Sequence, residues 1–548
     1  MNRCLVLLAL IPVVGFSSIT IDTIGGTTYD WVASGPCRRM IGNDPERGVH
    51  ALWMFSRQAG PGYTDRNMCY NFRDAASGAW TWIDPSEFMN SGTGSFTART
   101  GFGSLDIDPQ TGCACVVAHR GSSTLYPTCV RDAAPGSGTF EECPGTPTGD
   151  AYIWPQASVT EDGVVHCIVS DDVTGTGLYY MRIAVWCSWS VPVEIGSPPP
   201  GYPSYFVEAS RQSEQLIVSW VNANALDQMF CRLSADGGTN WDQILTIPPP
   251  PAFGSQNDTI AAFHFSSNSL LWDNLDRWHL VVAVGPAVGG QAYVLPAEIW
   301  HYSPDNTPAW SRVVRASCDP VHLAGSVGYN ALYAARPMLA IDQGNSLYCV
   351  WEQFDSLNLE PATARLRADI FVAASSDNGQ TWGRAVKLTP GDNCSYRFPS
   401  IARWVDDHLH ILCEADLQAG FRVMNEGGST NNPILYIRVP REEVLPTAVA
   451  EDRITTGQRP PLLRAVPNPF VSGTIFSSEL GSADRASLAI YDAAGGLVRH
   501  LGEWTNMRRI AVGWDGRDET GRAVMPGIYF GRLTTSSGAT SRKLVCAH

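Results

Sequence analysis

Charge is scarce in this chain. Asp, Glu, Lys and Arg make up 17% of the residues, and 38 basic side chains stand against 53 acidic ones, a formal net charge of −15. There is no run of Lys and Arg, which excludes a nucleic-acid binder working through a basic surface. The acidity favours solubility and says nothing about fold. The composition also lacks the surplus of Ala, Leu, Glu and Lys that long helices need. Past the N-terminus no apolar run is long enough for a membrane helix. There is no Cys-x-x-Cys pair, Gly-rich phosphate loop, Gly-x-Ser-x-Gly elbow or His-Glu-x-x-His. The sequence therefore points to no zinc site, nucleotide or other cofactor.

What is present is turn chemistry and aromatic mass: Gly 51, Pro 37 and Trp 18 in 548 residues that are 44% apolar. That mixture suits many short strands joined by tight turns, in two or three domains. At the N-terminus, Arg3 precedes the apolar stretch Leu5 to Phe16, which is too short to span a bilayer. Gly15 and Ser17 sit at the small −3 and −1 positions of a cleavage after Ser17. This predicts a signal peptide over 1–17, and so export. Cys4 lies before the apolar run and is not a lipid anchor. Of the remaining cysteines, Cys113 and Cys115 share one strand face, and Cys167, Cys349 and Cys413 sit in apolar runs. They read as buried thiols, with no pairing assigned.

An internal repeat dominates the middle of the chain. An apolar strand, a polar turn and a second strand recur seven times. The second strands are Val49–Trp53, Ala114–Ala118, Val165–Val169, Leu216–Trp220, Trp278–Val282, Leu347–Trp351 and Leu409–Cys413. A spacing of roughly 50–70 residues fits a four-stranded unit with its loops. Such a sheet cannot bury both faces alone. Arranged radially, each sheet covers the next, so the expected fold is all-β, a β-propeller, over 18–444. Seven blades are expected, with six as the alternative. The strand-like segment Ile19 to Trp31 is expected to complete the last blade. His50, His166, His279 and His410 recur at one repeat position, with Tyr348 in their place once. Recurrence of that kind speaks for packing rather than a metal, even though His408 and His410 share a strand face.

A sharper motif sits in some units. Ser375-Ser376-Asp377-Asn378-Gly379-Gln380-Thr381-Trp382 and Ser234-Ala235-Asp236-Gly237-Gly238-Thr239-Asn240-Trp241 share Ser-x-Asp-x-Gly-x-x-Trp. Ser303, Asp305 and Trp310 belong to a degenerate copy with Thr307 at the Gly position, and Asp74 to Trp82 is a worn one. Here the chain resembles the Asp-box (BNR) repeat of sialidase-type propellers. The Asp caps turn amides, the Gly permits positive φ and the Trp packs into the seam between sheets. In that family the box is structural.

One face of such a ring collects Arg57, His119, Arg120, Asp171, Asp172, Glu352, Glu414 and Asp416 from the ends of second strands. Arg39, Arg336 and Arg397 join them where first strands begin. A funnel of Arg and carboxylates suits an anionic sugar, because guanidinium grips carboxylate bidentately and paired acids serve glycosidic chemistry. Tyr396-Arg397-Phe398-Pro399 resembles the Arg element of sialidases, with Phe at its third position. It lies in the last blade, where the family has it near the start. The family's other catalytic roles find no local match, so no catalytic residue is assigned.

After residue 444 the periodicity ends, and 445–460 reads as a linker. The stretch 461–548 has short strands and regular turns, which predict a small antiparallel sandwich. Its landmarks are Asn468-Pro469-Phe470, Tyr491-Asp492 with Gly495, Trp514-Asp515-Gly516, Gly527 with Tyr529, and Lys543. In this order they resemble the FlgD-like immunoglobulin-fold domain, which overlaps the type A C-terminal sorting domain of type IX secretion. Departures are the single Asn-Pro, Gly496 where a basic residue is usual, and the Cys-Ala-His ending. The resemblance implies a partner, the outer-membrane translocon of a two-membrane bacterium, and a secreted or cell-surface location. The expected function is non-catalytic binding of a glycan or protein. The alternative is a sialidase-like exo-glycoside hydrolase acting on anionic glycans.

Overall fold

The computed structural model describes residues 19–445 and 463–547, apart from 122–123, 146–150, 172–176, 198–203, 223–224, 254–258, 319–324, 480–484, 493–495, 506 and 536–537. The predicted signal peptide, nearly all of 445–460, Asp172 and Gly495 lie outside the described residues. The chain divides into two compact units, Met1–Thr447 and Ala448–His548. The division falls inside the stretch read as a linker.

Among the described residues, the first unit holds seven sheets of four or five strands, which follow one another along the chain and are antiparallel save for Trp404–Val405, paired parallel to the sixth sheet's inner strand. Their inner strands are Ile41–Asp44, Thr100–Ile107, Tyr152–Val159, Tyr205–Ala209, Ile260–Trp272, Ala334–Asp342 and Ser395–Ile401. Each of the seven apolar runs singled out in the sequence is the strand that pairs with the inner one. These strands are apolar along their whole length because both faces are covered; Leu216–Val221 is buried at every residue. The seventh sheet takes its outer strand from the N-terminus: Thr20–Thr27 pairs with Asn432–Pro440, Asp22 opposite Tyr436. The sequence predicted this closure.

At four of the seven seams between consecutive sheets one contact recurs. The repeated histidine of a second strand bonds an aromatic on the third strand, and that aromatic reaches the next sheet's outer turn. His166 Nδ1 and Tyr180 Oη lie 2.7 Å apart, and Tyr180 Oη donates to the Gly237 carbonyl (3.1 Å) and meets the Trp241 ring edge-on at 5.0 Å. His410 and Tyr436 repeat the pair at 2.6 Å, with Trp80 of the first sheet at 5.0 Å. His50 and Tyr70 do so at 2.7 Å, with Phe140 of the second sheet at 5.2 Å. His279 contacts His301 at 2.9 Å, and the His301 ring meets Trp382 at 5.6 Å. Tyr348 instead donates to Asp342 (2.9 Å). Burial holds His50 and His166 neutral, pushing their pKa values down to about 4 and about 3.

Both full boxes form as read. Asp236 Oδ1 accepts from the Thr239 and Asn240 N–H groups at 3.1 and 2.8 Å, and Ser234 Oγ accepts from Gly238 N–H at 2.9 Å. Asp377 accepts from Thr381 N–H at 2.9 Å, and Ser375 Oγ from Gly379 N–H at 2.9 Å. Gly379 has φ +75°, and a Cβ there would lie 2.2 Å from the His301 ring, so the close approach of two sheets needs glycine at that point. The Ser303 copy keeps its turn, but Ser303 Oγ is buried without a hydrogen bond. Trp310 opens the outer strand and donates to the Pro248 carbonyl (3.1 Å). A further turn of this kind, missed in the sequence, joins Asp132 to Ser137 and ends at Phe140.

In the second unit, a three-stranded sheet (Arg464–Val466, Thr474–Glu479, Arg509–Trp514) and a four-stranded one (Leu497–Thr505, Arg485–Asp492, Gly527–Thr535, Gly538–Cys546) share one core containing Phe470, Phe476, Leu488, Trp514 and Leu533. Asn468 ties down the last strand: its Nδ2 donates to the Lys543 carbonyl (2.7 Å) and its Oδ1 accepts from Val545 N–H (2.9 Å). Trp514 lies between Phe470 and Tyr529, tilted against the first at 5.3 Å and edge-on to the second at 5.4 Å, and Gly516 turns the chain beside Phe470 with φ +70°. Asp492 and Asp515 cap the turns that follow them.

The closing strand generates a prediction. A Cβ on Gly25 would lie 2.2 Å from the Trp53 ring of the first sheet. Gly25→Val is expected to destabilise the first unit by about 2–3 kcal/mol, read as a lowered urea midpoint at unchanged far-UV circular dichroism.

Candidate functional site

The predicted funnel lies where the inner strands begin. Four of the seven start with a bulge of one kind: the pairing register shifts at Gly101/Ser104, Ile153/Gln156, Ala335/Met338 and Arg397/Ser400. One residue in each bulge takes positive φ: Phe102, Trp154, Arg336 and Phe398, at 51–53°. Three of the four precede proline. The Arg397-Phe398-Pro399 element is therefore the seventh sheet's copy of a repeated backbone device, and Arg336-Pro337 is the sixth sheet's.

Arg336, Glu352 and Arg397 meet there and bind one another. Arg336 Nη1 and Arg397 Nη2 both donate to Glu352 Oε1, the latter at 3.1 Å. Arg397 Nε and the Phe398 N–H donate to Oε2 at 3.2 and 3.0 Å. Arg336 and Glu352 are 0% exposed, and Arg397 is 2% exposed. Burial opposes ionisation of Glu352, but Arg336 and Arg397 outweigh it and hold the carboxyl below its usual range. Aromatic faces complete the enclosure: Arg336 lies 4.7 Å from the Phe398 ring, and Arg397 lies 4.8 and 4.6 Å from Phe354 and Phe421.

Residues 28–40 cover this cluster. They connect the outer strand of the seventh sheet to the inner strand of the first and are buried except for Ser34. Trp31 meets Phe421, Tyr329 and Phe398 edge-on at 4.8, 5.5 and 5.8 Å. Arg38 donates to the Trp154 carbonyl (3.4 Å). Arg39 leaves the funnel altogether. It runs along the channel to the Leu339 and Ile401 carbonyls and pairs with Glu208 at 3.5 Å.

The other predicted residues scatter. Arg120 pairs with Glu142 of its own sheet's outer strand (2.9 Å), and the exposed Arg57 donates to Met89 O and Asn90 Oδ1. His119 is buried and kept neutral, its Nδ1 accepting from Trp154 N–H (3.2 Å). Asp171 ends its strand half-buried. Glu414 and Asp416 do belong to the cluster, with Asp30, which the sequence reading passed over. Burial raises all three carboxyls, Asp30 to about 6 and Asp416 to about 8, and Asp30 adds repulsion to the other two. Asn432 donates to Glu414 Oε1 (2.7 Å), whereas Glu414 Oε2 and Asp416 Oδ2 are buried without a hydrogen bond. Among the described residues no group of His, Cys, Asp and Glu is placed to hold a metal ion.

Sequence reasoning also missed Asp106 and Glu208, which sit at one repeat position, one residue before the end of their inner strands. Arg403 pairs with both, at 3.1 and 2.8 Å, and Arg211 with Asp106 at 2.7 Å. That shared position was the available signal.

Two outcomes follow from these ionisations. Glu352→Gln leaves two buried guanidiniums short of charge and is expected to destabilise by about 3–5 kcal/mol in urea unfolding. Asp416 has a folded pKa of about 8 against an ordinary 3.8, so the folded state holds its proton longer than the unfolded chain does. Stability from this group is full below pH 3.8 and is lost as pH rises through 8. Asp416→Asn is expected to flatten the fall in melting temperature between pH 6 and 8, the values raised for Asp30 and Asp416.

No family model matches the sequence, and no curated protein does. Among solved structures, an ulvan lyase of polysaccharide lyase family PL25, bound to -[GlcA(1-4)Rha3S]-, is similar at TM-score 0.50 and 12% identity, over 78% of this chain and 99% of that one. Polysaccharide lyase Uly1 gives 0.44 and 11%, over 74% and 90%. A mutant Trypanosoma rangeli sialidase with trans-sialidase activity gives 0.37 and 10%, over 84% and 86%. Identity this low speaks to fold alone: the first unit is a β-propeller of the kind found in carbohydrate-active enzymes.

Proposed function

We propose that this is an exported, seven-bladed, non-catalytic propeller that binds glycans outside the cell. The observation that carries the reading is the Arg336–Glu352–Arg397 cluster. Side chains that a sialidase-like hydrolase would offer to a substrate carboxylate are here spent on each other, under Trp31 and Phe421. A glycan is favoured as ligand because the ulvan lyase of the same fold is bound to a sugar chain. The C-terminal sandwich would act as a sorting domain read by a type IX translocon. The Asn468 clasp on the last strand supports this, because it gives the Asn-Pro-Phe motif a folding role in presenting that strand.

A glycoside hydrolase is the second reading, favoured by Asp416, whose carboxyl stays protonated near neutral pH as a general acid must. One assay separates the two. The full chain is expected to bind members of a glycan array and to leave fluorogenic sialosides and a glycoside panel uncut. Turnover abolished by Arg397→Ala would overturn the non-catalytic reading. Deleting 461–548 is expected to trap the protein in the periplasm; a truncated chain that still reached the medium would sink the sorting role.

A further inference from the structure

The channel's other end, where the inner strands finish, holds a cavity of about 770 Å³. Its deep wall carries Arg39, Arg211, Arg403 and Asp106, and its mouth carries Glu161 and Trp404. Arg39 and Arg403 are 4% and 6% exposed, so both guanidiniums are more than nine-tenths buried. Three N–H groups in this wall, Arg39 Nε, Arg211 Nη1 and Arg403 Nη1, are buried and donate to nothing. A buried donor without an acceptor is costly, and a charged one more so. The charges are uneven too. Three guanidiniums share two carboxylates, Asp106 and Glu208, which leaves one positive charge in excess. Burial lifts the Glu208 carboxyl, which adds to that excess. At the mouth Asp44 and Arg47 pair with each other at 2.7 Å, while Glu46 and Glu161 are exposed to solvent, which screens their charge from the deep wall.

Unused donors, one excess positive charge in the deep wall and an open cavity call for a monovalent group with two acceptor oxygens. We propose that this cavity is the seat of a carboxylate, taken from a sugar acid, with Arg211 and Arg403 donating to its oxygens. Guanidinium and carboxylate match in plane and spacing. Trp404 offers an apolar surface to the carbon skeleton that carries the carboxylate. The site stands at the opposite end of the channel from the Arg336–Glu352–Arg397 cluster and uses none of its residues. It rests on the glycan reading only for the source of the carboxylate.

The test is calorimetric titration of the full chain with glucuronate, and in parallel with acetate and glucose. Glucuronate is expected to bind with a Kd of about 1 mM or tighter, weakening as salt is raised, with acetate competing and glucose silent. Arg211→Gln is expected to weaken glucuronate about tenfold or more. The exposed Glu161→Gln removes a like charge from the mouth and is expected to tighten glucuronate about two- to threefold. It also serves as the deciding variant if Arg211→Gln does not fold. Glucose binding as well as glucuronate, a folded Arg211→Gln with unchanged affinity, or a Glu161→Gln that fails to tighten would each overturn the proposal. Acetate binding without glucuronate would uphold the carboxylate seat and remove the glycan reading instead.

Discussion

The first unit depends on the contact between consecutive sheets. A four-stranded sheet has two faces and no core of its own, so stability resides at the seams. Here four of the seven seams are more than apolar surface. At three of them a buried histidine fixes the hydroxyl of a third-strand tyrosine that reaches the next sheet's outer turn, as Tyr180 does at Gly237, and at the fourth His301 takes the tyrosine's place. The turn's Asp and Gly exist to shape a backbone that can receive it. The repeated His and the Asp box are thus two halves of one joint. Its chemistry is satisfied pairwise, which is how so many polar side chains can be buried.

Charge is handled in the same economical way along the channel. A chain with few charges places several of its Arg at the axis, at both ends of the inner strands. At one end Glu352 is saturated by two guanidiniums and a backbone N–H. At the other, Arg39, Arg211 and Arg403 surround Asp106 and Glu208 without closing their donor set. Buried pairs of this kind are poor sources of net stability, because desolvation offsets attraction. They do join sheets far apart in the chain, as Arg403 beside the seventh sheet joins Asp106 of the second.

Much of this was legible in the sequence. Runs that are buried on both faces leave an uninterrupted apolar signature, so all seven second strands were visible. The Asp boxes were visible because local turn chemistry needs particular residues at particular steps. Partners that meet through space leave no such local mark. Nothing near Arg336 in the sequence says that Glu352 and Arg397 will consume it, or that Trp31 will cover all three. Arg39 looked like a funnel residue because it precedes a first strand. The buried path of residues 28–40 carries it past the funnel to Glu208. The turn at Asp132 escaped notice because its Ser follows the Asp and its Trp is replaced by Phe140.

The seventh sheet has a consequence in time. Thr20–Thr27 is among the first strands to be synthesised, and its partner Asn432–Pro440 comes roughly four hundred residues later. Until that partner arrives, a strand with open hydrogen-bonding edges, half of it destined for burial, waits alone, and the aromatic side of the first sheet around Trp53 lies bare. A chain built in this order is an open, adhesive string until its last strand completes the ring. Its ring closes late and in one step, when the last strand meets the first.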